Sequence, residues 1–377
     1  CSRTLVLMNG RRMVPGTTGG GNCADLNTIP TLLLDKVEVL TGGASSVYGS
    51  DAVAGVVNFV LDDEFVGFKA AYSHGFYNHE NDNSSLRELV KSYGYAQAPS
   101  DVQTGDTGKF SIAFGGEIDG GRGHVTAFME HTDTQPILQG DFDISACALS
   151  GGTTRCGGSS TIPPGRWADF GRYGGAGLVN IDPTVTRLDL KVSGNDFVPR
   201  DGQTYNYNPT NFFQRPDDRL NVGFFGKYEL TDKAEVYLDF TAMKSESNAQ
   251  IAYSGTFGNI TDLPCYNSLL SAQQYKIACS DWTGMGGSHA PDFASASAAL
   301  AYISGLDIAV GNGDILAYKA PLYSLKRNVE GNPRQGIQMY KSYNTTLGLR
   351  GDINDDWSYD IYYQNSAVNY GNEYRND

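Results

Sequence analysis

Histidines are the first residues to test for chemistry, because imidazole is the commonest general base and metal ligand in proteins. The chain has five of them, His74, His79, His124, His131 and His289. His124 and His131 are an odd number of residues apart on one predicted strand, so they point to opposite faces. No Ser, His and Asp occur in order with the glycines of a nucleophile elbow. The sequence therefore predicts no catalytic residue and no metal site, and it indicates that the protein is not an enzyme.

A glycine-rich stretch from Thr41 to Ser46 has the composition of a phosphate-binding loop. A P-loop ends in Lys followed by Ser or Thr, and this stretch lacks that ending. We interpret its glycines as tight-turn residues. The sequence therefore predicts no bound nucleotide and no other cofactor.

The cysteines form three pairs that are close in sequence: Cys1 and Cys23, Cys147 and Cys156, Cys265 and Cys279. None of these pairs has the CxxC spacing typical of a zinc site. An even number of cysteines in loop-like surroundings indicates disulfides formed in an oxidising compartment. We therefore predict that all six are disulfide-bonded.

Composition excludes several classes of protein. The chain has 377 residues and a formal net charge of −14, which argues against nucleic acid as a partner because a phosphate backbone needs a basic surface. It contains 23 Tyr, 17 Phe and 3 Trp, too many aromatic residues for a disordered chain. No apolar run reaches the roughly 18 residues of a transmembrane helix. The high glycine and tyrosine content favours an all-β chain with many turns.

From Val66 onward, apolar and polar residues alternate in seven segments. Each is about 9–11 residues long, the length of a tilted strand that crosses a bilayer. The segments are centred on 66–73, 110–118, 124–130, 219–230, 234–240, 343–350 and 357–364. The sequence therefore predicts a mainly β protein with a transmembrane antiparallel β-barrel.

The connections between these segments alternate between short and long. Tight turns are predicted at 119–121, 231–233 and 354–356, and long loops at 79–108, 136–217 and 249–339. All short turns then lie at one end of the barrel and all long loops at the other, as in outer-membrane barrels. Seven strands cannot close a bacterial barrel, which needs an even number of at least eight. We therefore expect this sequence to be an incomplete barrel from a longer chain.

The first 61 residues have a different pattern. Short, nearly continuous apolar runs at 5–8, 29–34, 37–40 and 56–61 are separated by glycine-rich turns. Such runs are typical of strands that are buried on both faces. The sequence predicts a small mixed α/β unit ahead of the barrel.

Two segments of this unit carry a family resemblance. The segment from Leu34 to Phe59 reads LDKVEVLTGGASSVYGSDAVAGVVNF, and residues 5–12 read LVLMNGRR. Both resemble the plug domain of TonB-dependent outer-membrane receptors, although Gly42-Gly43 stands where that family often has Gly-Pro. The residues that carry the motif are Glu38, Gly42, Gly43, Ser45, Tyr48, Gly49, Ala54, Gly55 and Asn58. The resemblance implies that 1–61 are the C-terminal part of a plug and 62–377 the first part of its barrel.

The resemblance also implies a function and its partners. Such a receptor lies in the outer membrane of a Gram-negative bacterium, where lipid surrounds its barrel. It captures a small-molecule or oligomeric nutrient at its external loops and moves it into the periplasm with energy from the TonB complex. The segment that contacts TonB in this family is not part of this sequence.

Two sets of residues are candidates for binding roles. Arg11 and Arg12 are predicted to lock the plug to wall carboxylates such as Glu117, Glu229, Glu235 or Asp239, because arginine pairs with carboxylates bidentately; the alternative is that they are solvated. Aromatic residues of the long loops are candidates for stacking on a ligand, or for packing the loops together. These candidates are Trp167, Tyr205, Tyr207 and Trp282.

Other functions stay open at this point. A passive porin or a surface adhesin could use the same kind of barrel, although a dedicated plug argues against both. A secreted, disulfide-clipped carbohydrate-binding β-protein is a third possibility. The sequence does not name the substrate: siderophores, oligosaccharides, peptides and cobalamin-type ligands all fit.

Overall fold

The structure is a computed structural model. It describes residues 3–13, 16, 23–150, 155–168, 189–264, 267–274 and 319–377. The described residues form five sheets: a four-stranded sheet near the N-terminus, a seven-stranded antiparallel sheet, and sheets of five, two and two strands within the long connections. Within the described ranges, no helix is long and apolar enough to cross a membrane.

The N-terminal sheet is mixed. Its strands are β1 (Thr4–Met8), β2 (Arg11–Arg12), β3 (Leu34–Thr41) and β4 (Gly55–Leu61), and a one-turn helix, α1 (Ser45–Tyr48), lies between β3 and β4. The strand order is β2-β1-β4-β3, with β1 and β4 parallel and the other pairs antiparallel. Asn9 and Gly10 connect β1 to β2 with positive φ angles of 49° and 75°, the conformation that an Asn-Gly hairpin turn needs.

Two expectations about this unit are wrong. The apolar run at 29–34 is not a strand; it lies among two 3-10 turns, Leu26–Thr28 and Thr31–Leu33. Pro30, which has no N–H to donate to a ladder, precedes the second turn. Strand β3 is exposed along its whole length rather than buried on both faces. It is the edge strand of its sheet, so it has a strand neighbour on one side only.

The seven-stranded sheet, called the wall below, confirms the predicted fold class. Its strands are β5 (Gly67–Glu80), β6 (Asp101–Ile118), β7 (Gly123–Thr134), β15 (Asp217–Thr231), β16 (Ala234–Ile251), β19 (Arg334–Asn354) and β20 (Trp357–Arg375). The intervening numbers belong to short strands of the connections. Each strand of the wall pairs antiparallel with the next one along the chain, and the sheet is open, with β5 and β20 at its edges.

The wall strands are 12 to 21 residues long, longer than the predicted 9–11. Backbone pairing does not need apolar side chains, so the ladder continues beyond each alternating stretch. The long connections are correspondingly 81–100, 135–216 and 252–333 rather than 79–108, 136–217 and 249–339. The three tight turns fall where they were predicted, which confirms that short and long connections lie at opposite ends of the wall.

The long connections contain their own small elements. The first holds a helix, α2 (Ser84–Ser92), whose first turn is capped by the Asn83 side chain accepting from the Leu86 N–H at 3.2 Å. The second holds two 3-10 turns, Gln139–Asp141 and Asn208–Thr210, and strands β8 (Ile137–Leu138), β9 (Leu149–Ser150), β10 (Arg155–Cys156), β11 (Arg166–Ala168), β12 (Asp189–Ser193), β13 (Asp196–Pro199) and β14 (Phe212–Gln214). The third holds β17 (Gly255–Pro264) and β18 (Lys319–Arg327), which join β11–β13 in one sheet.

The disulfide prediction is confirmed for one pair. Cys147 and Cys156 are bonded, with their Cα atoms 5.7 Å apart. They form a small core with Val90 of α2, Ala98 and Ala146, so the bridged part of the second long connection packs against the first. Cys23 is also disulfide-bonded. Cys1, Cys265 and Cys279 lie outside the described residues.

The two faces of the wall differ. Large apolar and aromatic side chains are exposed on the outer face: Phe68, Tyr72, Phe110, Phe114, Leu347, Ile361 and Tyr363. The inner face packs against the N-terminal sheet. One buried core contains Met13, Ile29, Leu33 and Leu61 from the N-terminal unit and Ala113, Phe128 and Phe225 from the wall. The alternation in the sequence therefore separates an outer apolar face from an inner face that holds the N-terminal unit.

Candidate functional site: the contact between the N-terminal sheet and the wall

Arg11 joins the N-terminal sheet to the wall. Its Nη2 atom is 3.2 Å from Oδ2 of Asp360 on β20 and donates to the hydroxyl of Tyr237 on β16. Its guanidinium carbon lies 3.8 Å from the ring centroid of Tyr362. Tyr237 in turn donates to Oδ1 of Asp360 at 2.7 Å. A charge-assisted pair, a hydrogen bond and a cation–π contact thus converge on one guanidinium.

The partner of Arg11 is not one of the carboxylates that the sequence suggested. Among those four, Glu235 pairs with Arg350 at 2.6 Å, and Asp239 lines the same cavity as Arg11. Asp360 lies on β20, two strands further along the wall than Glu235 and Asp239 on β16. The sequence signal was the polar inner row of β16, where Tyr237 stands between Glu235 and Asp239.

In the described structure, Arg12 hydrogen-bonds to the wall only through its main chain. Its carbonyl oxygen accepts a hydrogen bond from Nε2 of Gln364 at 3.2 Å. Its guanidinium pairs with Asp51 inside the N-terminal unit, and this pairing holds the pKa of the Asp51 carboxyl below its usual value. The side chain of Arg12 therefore stabilises the unit itself.

Gly348 on β19 leaves room for the Tyr237 ring, because glycine has no side chain. A Cβ atom added at Gly348 on β19 would overlap the Tyr237 ring. Only glycine leaves that space on the neighbouring strand, so the tyrosine can lie flat against the wall with its hydroxyl near Arg11 and Asp360.

The surroundings of Arg11 are polar and open to water. A cavity of about 110 Å³ is lined by Arg11, Asp63, Lys227, Asp239 and Arg350, among others. Burial raises the pKa of the Asp63 carboxyl, while the nearby charges of Lys227 and Arg350 oppose that rise. Lys227 and Arg350 also line a second cavity of about 780 Å³ that reaches the tight turn at 231–234. The space beside Arg11 is thus lined by charges of both signs toward the short-turn end.

Glu130 on β7 makes a second, buried contact with the N-terminal unit. Only 2% of this residue is exposed. Its Oε1 atom accepts from the Thr31 hydroxyl at 3.1 Å and from the Leu32 N–H at 3.4 Å, and its Oε2 atom is 3.2 Å from Nζ of Lys109. Ser111 donates to it as well, at 3.2 Å. The sequence analysis missed this site, although Glu130 lies on the same inward row of β7 as Thr126 and Phe128.

The segment between the two sheets is fixed to the same strand. Nε2 of His124 lies 3.0 Å from the Phe65 carbonyl oxygen, and the Thr126 hydroxyl donates to the Asp63 carbonyl at 2.9 Å. An added Cβ at Gly115 would collide with the Phe65 carbonyl. The chain therefore leaves the N-terminal sheet pressed closely against the wall.

The motif residues of the N-terminal unit support its internal structure. Asn58 is the centre of this arrangement: its Oδ1 accepts from the Gly10 N–H at 2.9 Å, and its Nδ2 donates to Glu38 at 3.0 Å. The Ala54 N–H donates to the Arg3 carbonyl at 2.7 Å. The remaining motif residues form or flank α1 and its turns: Gly42, Gly43, Ser45, Tyr48, Gly49 and Gly55.

The loop aromatics that were candidates for ligand binding contact other loop residues. The Trp167 ring packs on Phe197 with centroids 5.9 Å apart. Arg327 lies 5.1 Å from the ring centroid of Tyr205, and burial raises the pKa of the Tyr205 hydroxyl. Tyr207 precedes the 3-10 turn that begins at Asn208. Trp282 lies outside the described residues, and these positions leave a role in ligand binding untested.

These features define a class of protein: an antiparallel barrel wall whose inner face holds a separate small sheet through buried and charged contacts. A sequence model of the TonB-dependent receptor plug domain matches residues 2–56. Residues 2–56 are thus a TonB-dependent receptor plug domain, packed on the inner face of the wall. The plug family is a family of transport receptors and not of enzymes.

Solved structures with a similar fold include three receptors. The ferric enterobactin receptor of Pseudomonas aeruginosa, in complex with enterobactin, is 13% identical, with a TM-score of 0.40 over 97% of this chain and 33% of its own. BauA, the ferric preacinetobactin receptor of Acinetobacter baumannii, is 11% identical, with a TM-score of 0.35 over 99% and 40%. The siderophore receptor PirA of the same organism is 11% identical, with a TM-score of 0.29 over 97% and 40%. The chain thus spans two fifths or less of their length, and these identities are too low to indicate a ligand.

Proposed function

We propose that this protein takes up a nutrient across the outer membrane of a Gram-negative bacterium with energy from the TonB complex. The observation that carries the proposal is the plug domain at residues 2–56, which packs on the inner face of the wall. The exposed apolar outer face supports contact with lipid. Binding of the nutrient at the long-loop end would shift the plug between conformations, without chemistry on the nutrient.

The proposed organisation assigns residues 1–61 to the plug and 62–377 to the first part of the barrel. It is supported by the end of β4 at Leu61 and the start of β5 at Gly67. Arg11 is the proposed lock between the two parts. Trp167, Tyr205, Tyr207 and Trp282 stay proposed ligand contacts of the long loops.

The test is uptake in living cells. Strains lacking either this receptor or the TonB complex are compared with their parent for growth on limiting siderophore-bound iron, oligosaccharides, peptides and cobalamins. We expect one nutrient whose uptake is lost in both strains. Uptake that requires the receptor but continues without TonB would identify a passive porin and contradict the proposal.

A variant receptor supplies the matched control. Restoring the native receptor to its deletion strain should restore uptake of that nutrient. Restoring a receptor with Glu117→Gln, a change at an exposed position near the tight turn after β6, should restore it equally well. If no nutrient depends on the receptor, an adhesin becomes the better explanation.

A further inference from the structure

A second large cavity lies at the opposite end of the wall from the charged one. It has a volume of about 580 Å³ and lies between the end of β5 and the short β8–β14 ribbon. Its apolar and aromatic lining residues are Tyr77, Ile137, Phe142, Ile144 and Phe213. It therefore lies at the long-loop end, where the proposed function places ligand capture.

The cavity opens on the face of the wall that holds the plug. Tyr77 and His79 lie in the same alternating row of β5 as Lys69. The Lys69 ammonium lies 4.5 Å from the ring centroid of Phe65, which packs on the plug–wall core. A Cβ added at Gly105 would come within 2.6 Å of Ile137 and 2.8 Å of Tyr77. The absent side chain lets the ribbon approach the wall closely.

Aromatic rings in the cavity form a continuous series. The ring centroids of His79 and Phe142 are 5.3 Å apart, and those of Phe142 and Phe213 are 5.9 Å apart. Phe213 is nevertheless 61% exposed and Tyr77 is 56% exposed. On the inner face of the wall, which the proposed function does not place against lipid, clustered exposed rings of this kind are typical of binding sites.

The lining is uncharged. The described residues around this cavity include no Asp, Glu, Lys or Arg, although the cavity at the short-turn end is lined mainly by charged and polar residues. Its polar side-chain groups are the Tyr77 hydroxyl, the Gln214 amide and the imidazole of His79. A charged ligand group would lose hydration here without gaining an opposite charge. A sugar would find few hydrogen-bonding partners for its many hydroxyls.

We propose that this cavity binds an uncharged aromatic group of the ligand, an inference that rests on the proposed function. Its volume lies in the range of about 300–1,000 Å³ that small-molecule sites occupy. Ring-to-ring contacts with Phe142 and Phe213 would hold the group. His79 and Gln214 would accept or donate hydrogen bonds at its edge.

The experiment measures equilibrium binding of 1-naphthol to the full receptor in lipid nanodiscs by titration calorimetry. We expect saturable binding to the native receptor. Phe213→Leu keeps an apolar side chain but removes the ring, and it should weaken binding by about threefold to tenfold. Phe213→Glu places a charge in the cavity and should weaken it by more than about tenfold.

Controls separate this site from non-specific partitioning. Tyr93→Leu removes an exposed aromatic ring that stacks on Tyr95, outside the cavity, and should leave naphthol binding unchanged. 1-Naphthoate and methyl glucoside should bind at least about tenfold more weakly than 1-naphthol. Because Phe213 is mostly exposed, its variants should still fold. Unheated samples should therefore migrate on a denaturing gel as the folded native barrel does.

Specific results would overturn the inference. If Phe213→Glu did not affect naphthol binding, this cavity would not be the binding site. Tighter binding of the glucoside or the naphthoate would contradict the proposal that the cavity binds an uncharged aromatic group. The measurement needs no TonB and no energy source. Binding that behaves as expected in a receptor whose uptake does not depend on TonB would therefore refute the proposed function while leaving the site intact.

Discussion

The contacts at Glu130 and at Arg11 join the same two parts of the molecule, but their surroundings are opposite. Glu130 is almost fully buried and lies beside the apolar core that the plug shares with the wall. At the other contact the Arg11 side chain is 16% exposed, but its partner Asp360 is 45% exposed, and the space beside Arg11 opens to two charged cavities. The contact at Glu130 is thus shielded from water, whereas the contact at Arg11 is open to water.

This difference has consequences for how the plug can move. Breaking a buried ion pair leaves an uncompensated charge in the interior, whereas an exposed pair exchanges its partner for water at little cost. Local opening begins where few apolar contacts hold the structure together. We expect the plug to separate from the wall first beside Arg11, while the contact at Glu130 stays intact.

The largest expected effect tests the contact at Glu130. Glu130→Ala removes the buried carboxylate that pairs with Lys109 and leaves the Leu32 N–H without its acceptor, while Lys109 keeps only its hydrogen bond to the Thr31 hydroxyl. We expect it to destabilise the plug–wall contact by about 3–5 kcal/mol. Hydrogen exchange measured by mass spectrometry should report it as faster exchange at Thr31–Leu33. Glu117→Ala, which removes an exposed carboxylate from the neighbouring strand, should leave that exchange unchanged. If Thr31–Leu33 exchanged equally slowly in the native protein and in the Glu130 variant, the contact at Glu130 would not be the stronger of the two.

The shared core supplies the next prediction. Leu33 is 1% exposed and packs against residues of both parts. Leu33→Ala should destabilise the contact by about 3 kcal/mol, through lost apolar burial and the cavity left behind. Urea unfolding in vesicles should show a lower midpoint. The same change at Leu34, which is 36% exposed, is the control and should shift the midpoint far less.

The sequence was sufficient to predict the barrel but not the position of the plug within it. Alternation from Val66 onward predicts seven strands and their faces, because period-two patterning follows directly from strand geometry. It places Glu130 on an inward row but does not say which plug residue stands opposite. That depends on how the 3-10 turn at Thr31–Leu33 seats on the wall, and Pro30, which favours that turn, interrupts an apolar run that resembles a strand.

The site predictions differed for a related reason. Arg11 was found from its motif, whereas its partner Asp360 lies 349 residues away in sequence, and only the strand order of the wall brings the two together. The aromatic cavity was missed because its rings come from the end of β5 and from two distant parts of the second long connection. Composition gave Phe213 as one loop aromatic among several, and nothing local marked it as facing Phe142.

An intermediate effect is expected at the water-exposed contact of Arg11. Arg11→Ala removes the pair with Asp360 and the contacts with Tyr237 and Tyr362, which should loosen β1 and β2 by about 1–2 kcal/mol. Exchange should become faster there while Thr31–Leu33 keeps its protection. Adding Arg12→Ala should change the plug–wall contact little further, because that guanidinium pairs with Asp51 within the plug. Unchanged protection of the plug in the double variant would refute the lock.

The smallest effect concerns pH and Asp63. Burial raises the pKa of this carboxyl above its ordinary value of 3.8, although the residue keeps contact with water. The unfolded chain therefore ionises first as pH rises, so above both values the ionised carboxyl destabilises the folded state. Asp63→Asn should then stabilise the protein at pH 7 by a few tenths of a kcal/mol, reduced by solvent screening. The gain should shrink as pH falls through the raised pKa and vanish below 3.8. A gain in the urea midpoint that stays constant from pH 7 to pH 3 would show that titration of Asp63 is not its cause.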